Sequence, residues 1–133
     1  MSDSKDLALH LADLAFDKKA FNLQILDAAE QVGYCDYLLV CSGRSDRQVQ
    51  AIADHIALSM KKERGVLPNG IEGESSGQWV LIDFGDVVVH VFNAPVRDFY
   101  DIDGLWRNAD RLPVETPPWE AEMKESLFEQ GIL

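Results

Sequence analysis

Residues 77–92, Gly-Gln-Trp-Val-Leu-Ile-Asp-Phe-Gly-Asp-Val-Val-Val-His-Val-Phe, constrain the fold more than any other part of the chain. Two β-rich runs flank Gly85-Asp86, and glycine in first place is what a two-residue type II′ turn requires. A hairpin closed there pairs Phe84 with Val87, Ile82 with Val89 and Val80 with Val91. On its other face it pairs Asp83 with Val88, Leu81 with His90 and Trp79 with Phe92. Side chains alternate along a strand with period two, so the first face is wholly apolar and belongs under helices. The second mixes Trp79, Leu81, Asp83, Val88, His90 and Phe92. At a partner interface, aromatics supply contact area and a few polar groups fix register. An exposed apolar patch of that size has a use. Cover by a helix or by the C-terminal segment explains the same pattern equally well, and the hairpin alone leaves both readings open.

The elements around the hairpin are legible from spacing. Leu7, Leu11, Leu14 and Ala15 fall at helical intervals and predict an amphipathic helix over about 5–19. Phe21, Leu23 and Ile25 alternate with Asn22 and Gln24 as in a strand, and the apolar run 36–42 reads as a buried strand after a loop marked by Gly33. Ser45-Asp46-Arg47-Gln48 has the form of a capping box, followed by Val49, Ile52, Ala53, Ile56, Ala57 and Met60 on one stripe. Lys61, Lys62 and Arg64 suit the C-terminal end of that helix, about 46–63, and Gly65 closes it. A short strand is expected near Ile71. Pro95 suits a first helical position, so 96–106 predicts one or two helical turns with aromatics inward. From 108 the chain turns proline-rich and acidic, an extension with a candidate helix at 118–129 whose Trp119, Met123 and Leu127 share a face. The order α-β-β-α-(β)-β-β-α gives an α/β class: a mixed β-sheet with helices mainly on one face.

Composition narrows the function. A chain of 133 residues with 47% hydrophobic and 26% charged residues is long and apolar enough for one cored domain. No apolar run approaches the roughly 20 residues of a membrane span, and the first residues carry no basic targeting pattern, so a cytoplasmic protein is expected. A net charge of −11 with scattered bases argues against direct, sequence-specific nucleic-acid binding and favours steering toward a basic protein surface. Cys35 and Cys41, if on one strand, lie roughly 20 Å apart and read as free thiols.

Sites of chemistry are weak. Ser42-Gly43-Arg44-Ser45-Asp46 joins a strand to a helix N-terminus, where backbone amides can hold an anion. It is similar to the Gly-Ser turn of nucleotidyltransferases, so a nucleotide-binding or nucleotidyl-transferring enzyme is the alternative function. Such enzymes set two carboxylates on metal ions about 3.5–4 Å apart. Asp83 and Asp86 bracket a turn and should not face one metal, and Asp36 lies at the wrong end of its strand. The three histidines have no metal spacing. His90 is placed to hydrogen-bond Asp83 diagonally across the hairpin. No catalytic residue, metal or cofactor is expected.

Three stretches together carry a resemblance: CDYLLVCSGRSDRQVQAIADHI (35–56), the hairpin (77–92) and RDFYDIDGLW (97–106). In order and spacing over about 6–107 they resemble the ribosomal silencing factor, or Iojap-like, family. The resemblance implies a domain at 1–107 with nucleotidyltransferase-like architecture but without catalytic carboxylates, and leaves 108–133 as an extension. It implies a non-enzymatic repressor of translation that binds the large ribosomal subunit through ribosomal protein fourteen. There it sterically blocks subunit joining under nutrient limitation. Isolated members are often dimers. On this reading the partner-binding residues are Trp79, with Leu81, Asp83, Val88, His90 and Phe92 around it, and Tyr37, Tyr100 and Asp86 as further candidates.

Overall fold

A computed structural model describes residues 3–29, 33 and 35–133. The elements are α1 (Asp3–Asp17), β1 (Phe21–Asp27), β2 (Tyr37–Gly43), α2 (Asp46–Arg64), β3 (Gly70–Glu72), β4 (Trp79–Asp83) and β5 (Val87–Asn93). After these come α3 (Ala94–Phe99), α4 (Ile102–Leu105), β6 (Arg111–Leu112) and α5 (Trp119–Glu129). Among the described residues the strands form one mixed sheet in the order β3-β4-β5-β2-β1-β6, with β2 and β5 parallel and the other neighbours antiparallel.

The capping chemistry of α2 starts the helix as its sequence requires. Ser45 is extended and its Oγ accepts the Gln48 amide at 3.1 Å. The Gln48 side chain reaches back one residue further than a capping box, its Oε1 accepting the Arg44 amide, while its Nε2 donates to the Lys18 carbonyl at 3.1 Å and so ties α2 to the end of α1. Gly43 permits the close approach of helix and strand: a β-carbon there would lie 3.0 Å from Val49 Cγ2 and 3.1 Å from the Val49 amide nitrogen. At the other end Gly65 takes the left-handed conformation and its N–H returns to the Lys61 carbonyl.

The two long helices, α1 and α2, lie on one face of the sheet. Leu11, Ala15, Val49, Ile52, Ile56 and Met60 meet Ile25, Leu39, Cys41, Val80, Ile82, Val87, Val89 and Val91 in a single buried cluster. Within each strand these residues alternate by two, so the period-two pattern of β2, β4 and β5 is what selects the helix-covered side. A smaller cluster lies on the opposite face, where Leu38, Val40, Val88 and Phe92 pack under Ile102 and Ala109, with Val96 and Trp106 at its margin.

Three features depart from the sequence expectations. The alternation Phe21, Leu23, Ile25 is broken by a β-bulge: Phe21 faces Ser42 and Gln24 faces Val40, with Asn22 at a φ of 50°. One extra residue flips Phe21 to the face of α3, while Leu23 and Ile25 stay under α1 and α2. The aromatics of 96–106 are not all inward, for Phe99 and Tyr100 are exposed and pack edge to face at 5.0 Å. Residues 108–133, expected as an extension with a candidate helix at 118–129, add the unexpected edge strand β6 against β1, while the expected helix is α5. Leu127 of α5 is buried on Phe21 and Ala94, and Trp119 packs edge-on against Phe16 with the Lys19 ammonium 4.4 Å above its ring.

Candidate docking surface

The β4–β5 hairpin has the register that its alternation predicts, Trp79 opposite Phe92, Leu81 opposite His90 and Asp83 opposite Val88. Gly85 has a φ of 87°, the left-handed start that its turn needs, and the Phe84 amide donates to the Val87 carbonyl at 3.0 Å. The surroundings differ from an open front. Val88, His90 and Phe92 are buried, because the segment after β5 folds back and lays Val96, Ile102, Trp106 and Ala109 over them. These three are therefore corrected from contact residues to interior ones. The cover stops short of Trp79, which keeps 40% of its surface exposed, while Leu81 and Asp83 are half-buried and Asp86 is exposed.

Trp79 rests on its neighbours in a defined way. Its ring lies 4.7 Å from that of Phe92, centroid to centroid, and its indole Nε1 donates to His90 Nδ1 at 3.0 Å. His90 in turn stacks nearly parallel on Phe92 and lies 5.9 Å from Trp106. Burial pushes the His90 imidazole down to about 4, so it is neutral at physiological pH and able to accept at Nδ1. The expected His90–Asp83 pair does not form. Asp83 Oδ1 instead accepts the Gly85 amide at 2.7 Å, which stiffens the turn.

Beside Trp79 a groove of about 280 Å³ is lined by Leu81, Gly73 and Glu72, an apolar floor with one carboxylate at its rim. On the same side of the sheet the α3–α4 segment exposes Phe99, Tyr100 and Leu105. Tyr37 stands elsewhere: it shares the parity of Leu39 and Cys41 and lies half-buried against the α1–α2 core. Sequence reading passed over Phe99, Leu105 and Glu72, since the short turns of α3 and α4 and a three-residue strand have no period from which exposure can be inferred.

It also passed over Arg97, which is 4% exposed. Its Nη1 donates to the Asn22 carbonyl at 2.8 Å and to Ser42 Oγ at 2.9 Å, and its Nη2 to Asp103 Oδ1 at 2.8 Å. One guanidinium thus ties β1, β2 and α4 together and holds the segment that carries Tyr100 and Trp106. Its partners lie 75, 55 and 6 residues away in sequence, so no local pattern announces them.

The Ser42–Asp46 turn spends its polar groups on structure. Ser45 and Gln48 cap α2, and Asp46 Oδ1 accepts from Asn93 Nδ2 at 2.7 Å. Among the described residues no group of three or more His, Cys, Asp or Glu side chains is placed to hold a metal, and no helix is long and apolar enough to cross a membrane. Burial raises the thiols of Cys41, to about 12, and Cys35, to about 11, the latter helped by Asp36 and Asp83.

The profile of the family described as ribosomal silencing factor during starvation matches residues 1–130. The chain belongs to the ribosomal silencing factor family. It is 43% identical to the ribosomal silencing factor of Bacillus subtilis, over 70% of this chain and 78% of that one. It is 44% identical to the ribosomal silencing factor of Chromobacterium violaceum, over 68% of this chain and 73% of that one. A crystal structure of a Bacillus halodurans protein superposes with a TM-score of 0.72 at 34% identity, covering 83% of this chain and 99% of that one.

Proposed function

We propose that the protein docks on the large ribosomal subunit in the cytoplasm, through ribosomal protein fourteen, and keeps the small subunit from joining. Translation falls as a result when nutrients are short. The observation that carries this reading is Trp79: a large aromatic pinned from behind by Phe92 and His90, yet left partly open in a chain of the silencing family. Interface energy concentrates in such residues. Leu81 and the Glu72-rimmed groove extend the contact, Asp83 and Asp86 set register, and Tyr100 adds a second aromatic. Val88, His90 and Phe92 support the surface from within, and Tyr37 has no part in it. The net charge of −11 suits a basic ribosomal protein as partner and speeds encounter with it. Occlusion of a joining surface needs no chemical step, so the protein works without catalysis or cofactor. We further propose that the isolated protein forms a homodimer, a state that light scattering on a sizing column reads directly.

The test is to mix the protein with separated ribosomal subunits and pellet them. Retention by large subunits, with fewer joined ribosomes when small subunits are added, is the expected result. Retention by small subunits alone, or by neither, refutes the proposal.

A further inference from the structure

His90 presents an oddity of packing. It lies 5% exposed among Leu81, Phe92 and Trp106, neighbours that offer it only apolar and aromatic surface. Its Nδ1 accepts the Trp79 indole N–H, which puts its own proton on Nε2. That Nε2 is buried and finds no hydrogen-bond partner among the described residues. A buried donor left unpaired is costly, so an imidazole here is a poor choice for stability alone. What it provides is one acceptor, at the single point where the indole N–H of Trp79 arrives.

We infer that His90 is the positioning residue of the docking surface, holding the Trp79 indole in one orientation so that the partner meets a fixed apolar ring face. The inference rests on the docking function proposed above and adds two things to it. The first is that Trp79 spends its N–H inside the monomer, so the partner recognises it by shape and apolar contact, not by a hydrogen bond to Nε1. The second is that the anchor is held before the partner arrives. The ring is fixed by Phe92 at 4.7 Å below it and by the His90 bond at its edge, and a side chain ordered in advance loses little freedom on binding. A role confined to filling the core predicts the opposite pattern, since leucine fills the same space without burying the unpaired Nε2–H of histidine.

Two variants separate the possibilities. His90→Leu keeps the volume and removes the acceptor; His90→Asn keeps an acceptor oxygen near the Nδ1 position while packing less well. In the free protein, nitrogen-resolved NMR of the Trp79 indole N–H, assigned with Trp79→Phe, reads the bond directly. His90→Leu should shift that signal and speed its exchange with solvent, and His90→Asn should largely restore both. Affinity for isolated large subunits should fall roughly three- to tenfold in His90→Leu and recover in His90→Asn, although leucine is the more stable replacement. An unchanged indole signal in His90→Leu overturns the inference, as does a displaced signal with wild-type affinity. Wild-type protein retained by neither subunit overturns the docking function and this role with it. That failure is recognisable because the indole signal still responds to His90→Leu.

Discussion

Replacing Trp79 with alanine tests the docking surface at its centre, and the structure gives the size of the effect. A tryptophan side chain presents about 250 Å² when free, and the 40% left open at Trp79 amounts to roughly 100 Å² for a partner to cover. At about 25 cal/mol per Å² that area contributes about 2.5 kcal/mol, a roughly seventyfold change in dissociation constant. The remainder of the ring is already buried against Phe92 and His90, so the same change also weakens the fold, by about 3 kcal/mol. The two losses must be separated. Urea unfolding followed by circular dichroism establishes that the variant is folded at the assay temperature. Titration of labelled protein against large subunits, read by sedimentation, then gives the affinity. Trp79→Phe keeps a ring on Phe92 with less open area and should fall between wild type and alanine. A folded Trp79→Ala protein that binds large subunits as wild type does would remove Trp79 from the interface and refute the area argument.

Arg97→Ala should cost about 3–4 kcal/mol in urea, because it strands the Ser42 hydroxyl in the interior and takes the donor from the part-buried Asn22 carbonyl. Asp103→Asn, at a carboxylate 53% exposed, should cost no more than about 1 kcal/mol, and equal losses would show that the internal contacts of Arg97 contribute little. The folded His90 has its pKa lowered to about 4 by burial, below the ordinary histidine value, so the unfolded chain takes up the proton first as pH falls. Its contribution to stability is full above about pH 6.5 and is lost toward pH 4, by about 3 kcal/mol; urea unfolding at pH 7, 6 and 5 should show a steeper decline for wild type than for His90→Leu, and parallel curves would refute the assignment. Leu127→Ala should destabilise by about 2–4 kcal/mol, whereas Phe128→Ala, at a residue 71% exposed, should change stability by less than about 0.5 kcal/mol. Equal effects of that pair on urea midpoints would mean that α5 does not pack on Phe21 in solution.

What the sequence determined by itself is local and periodic. The capping residues of α2, the turn at Gly85, the pairing of Trp79 with Phe92 and the apolar parity of Val87, Val89 and Val91 all follow from backbone geometry over a few neighbouring residues. Each reappears in the structure. The tertiary structure alone decided which side chains of the mixed face remain open, because that depends on where the irregular segment after Pro95 folds back. A sheet face carries no mark of what will cover it. Val96, Ile102 and Trp106 settle over Val88, His90 and Phe92 and stop before Trp79, and Arg97 holds them there through partners on three separate elements. The bulge at Asn22 and the two-residue strand β6 escaped for a related reason. One inserted residue and one two-residue strand leave no period to detect, and only the pairing partner makes either of them visible.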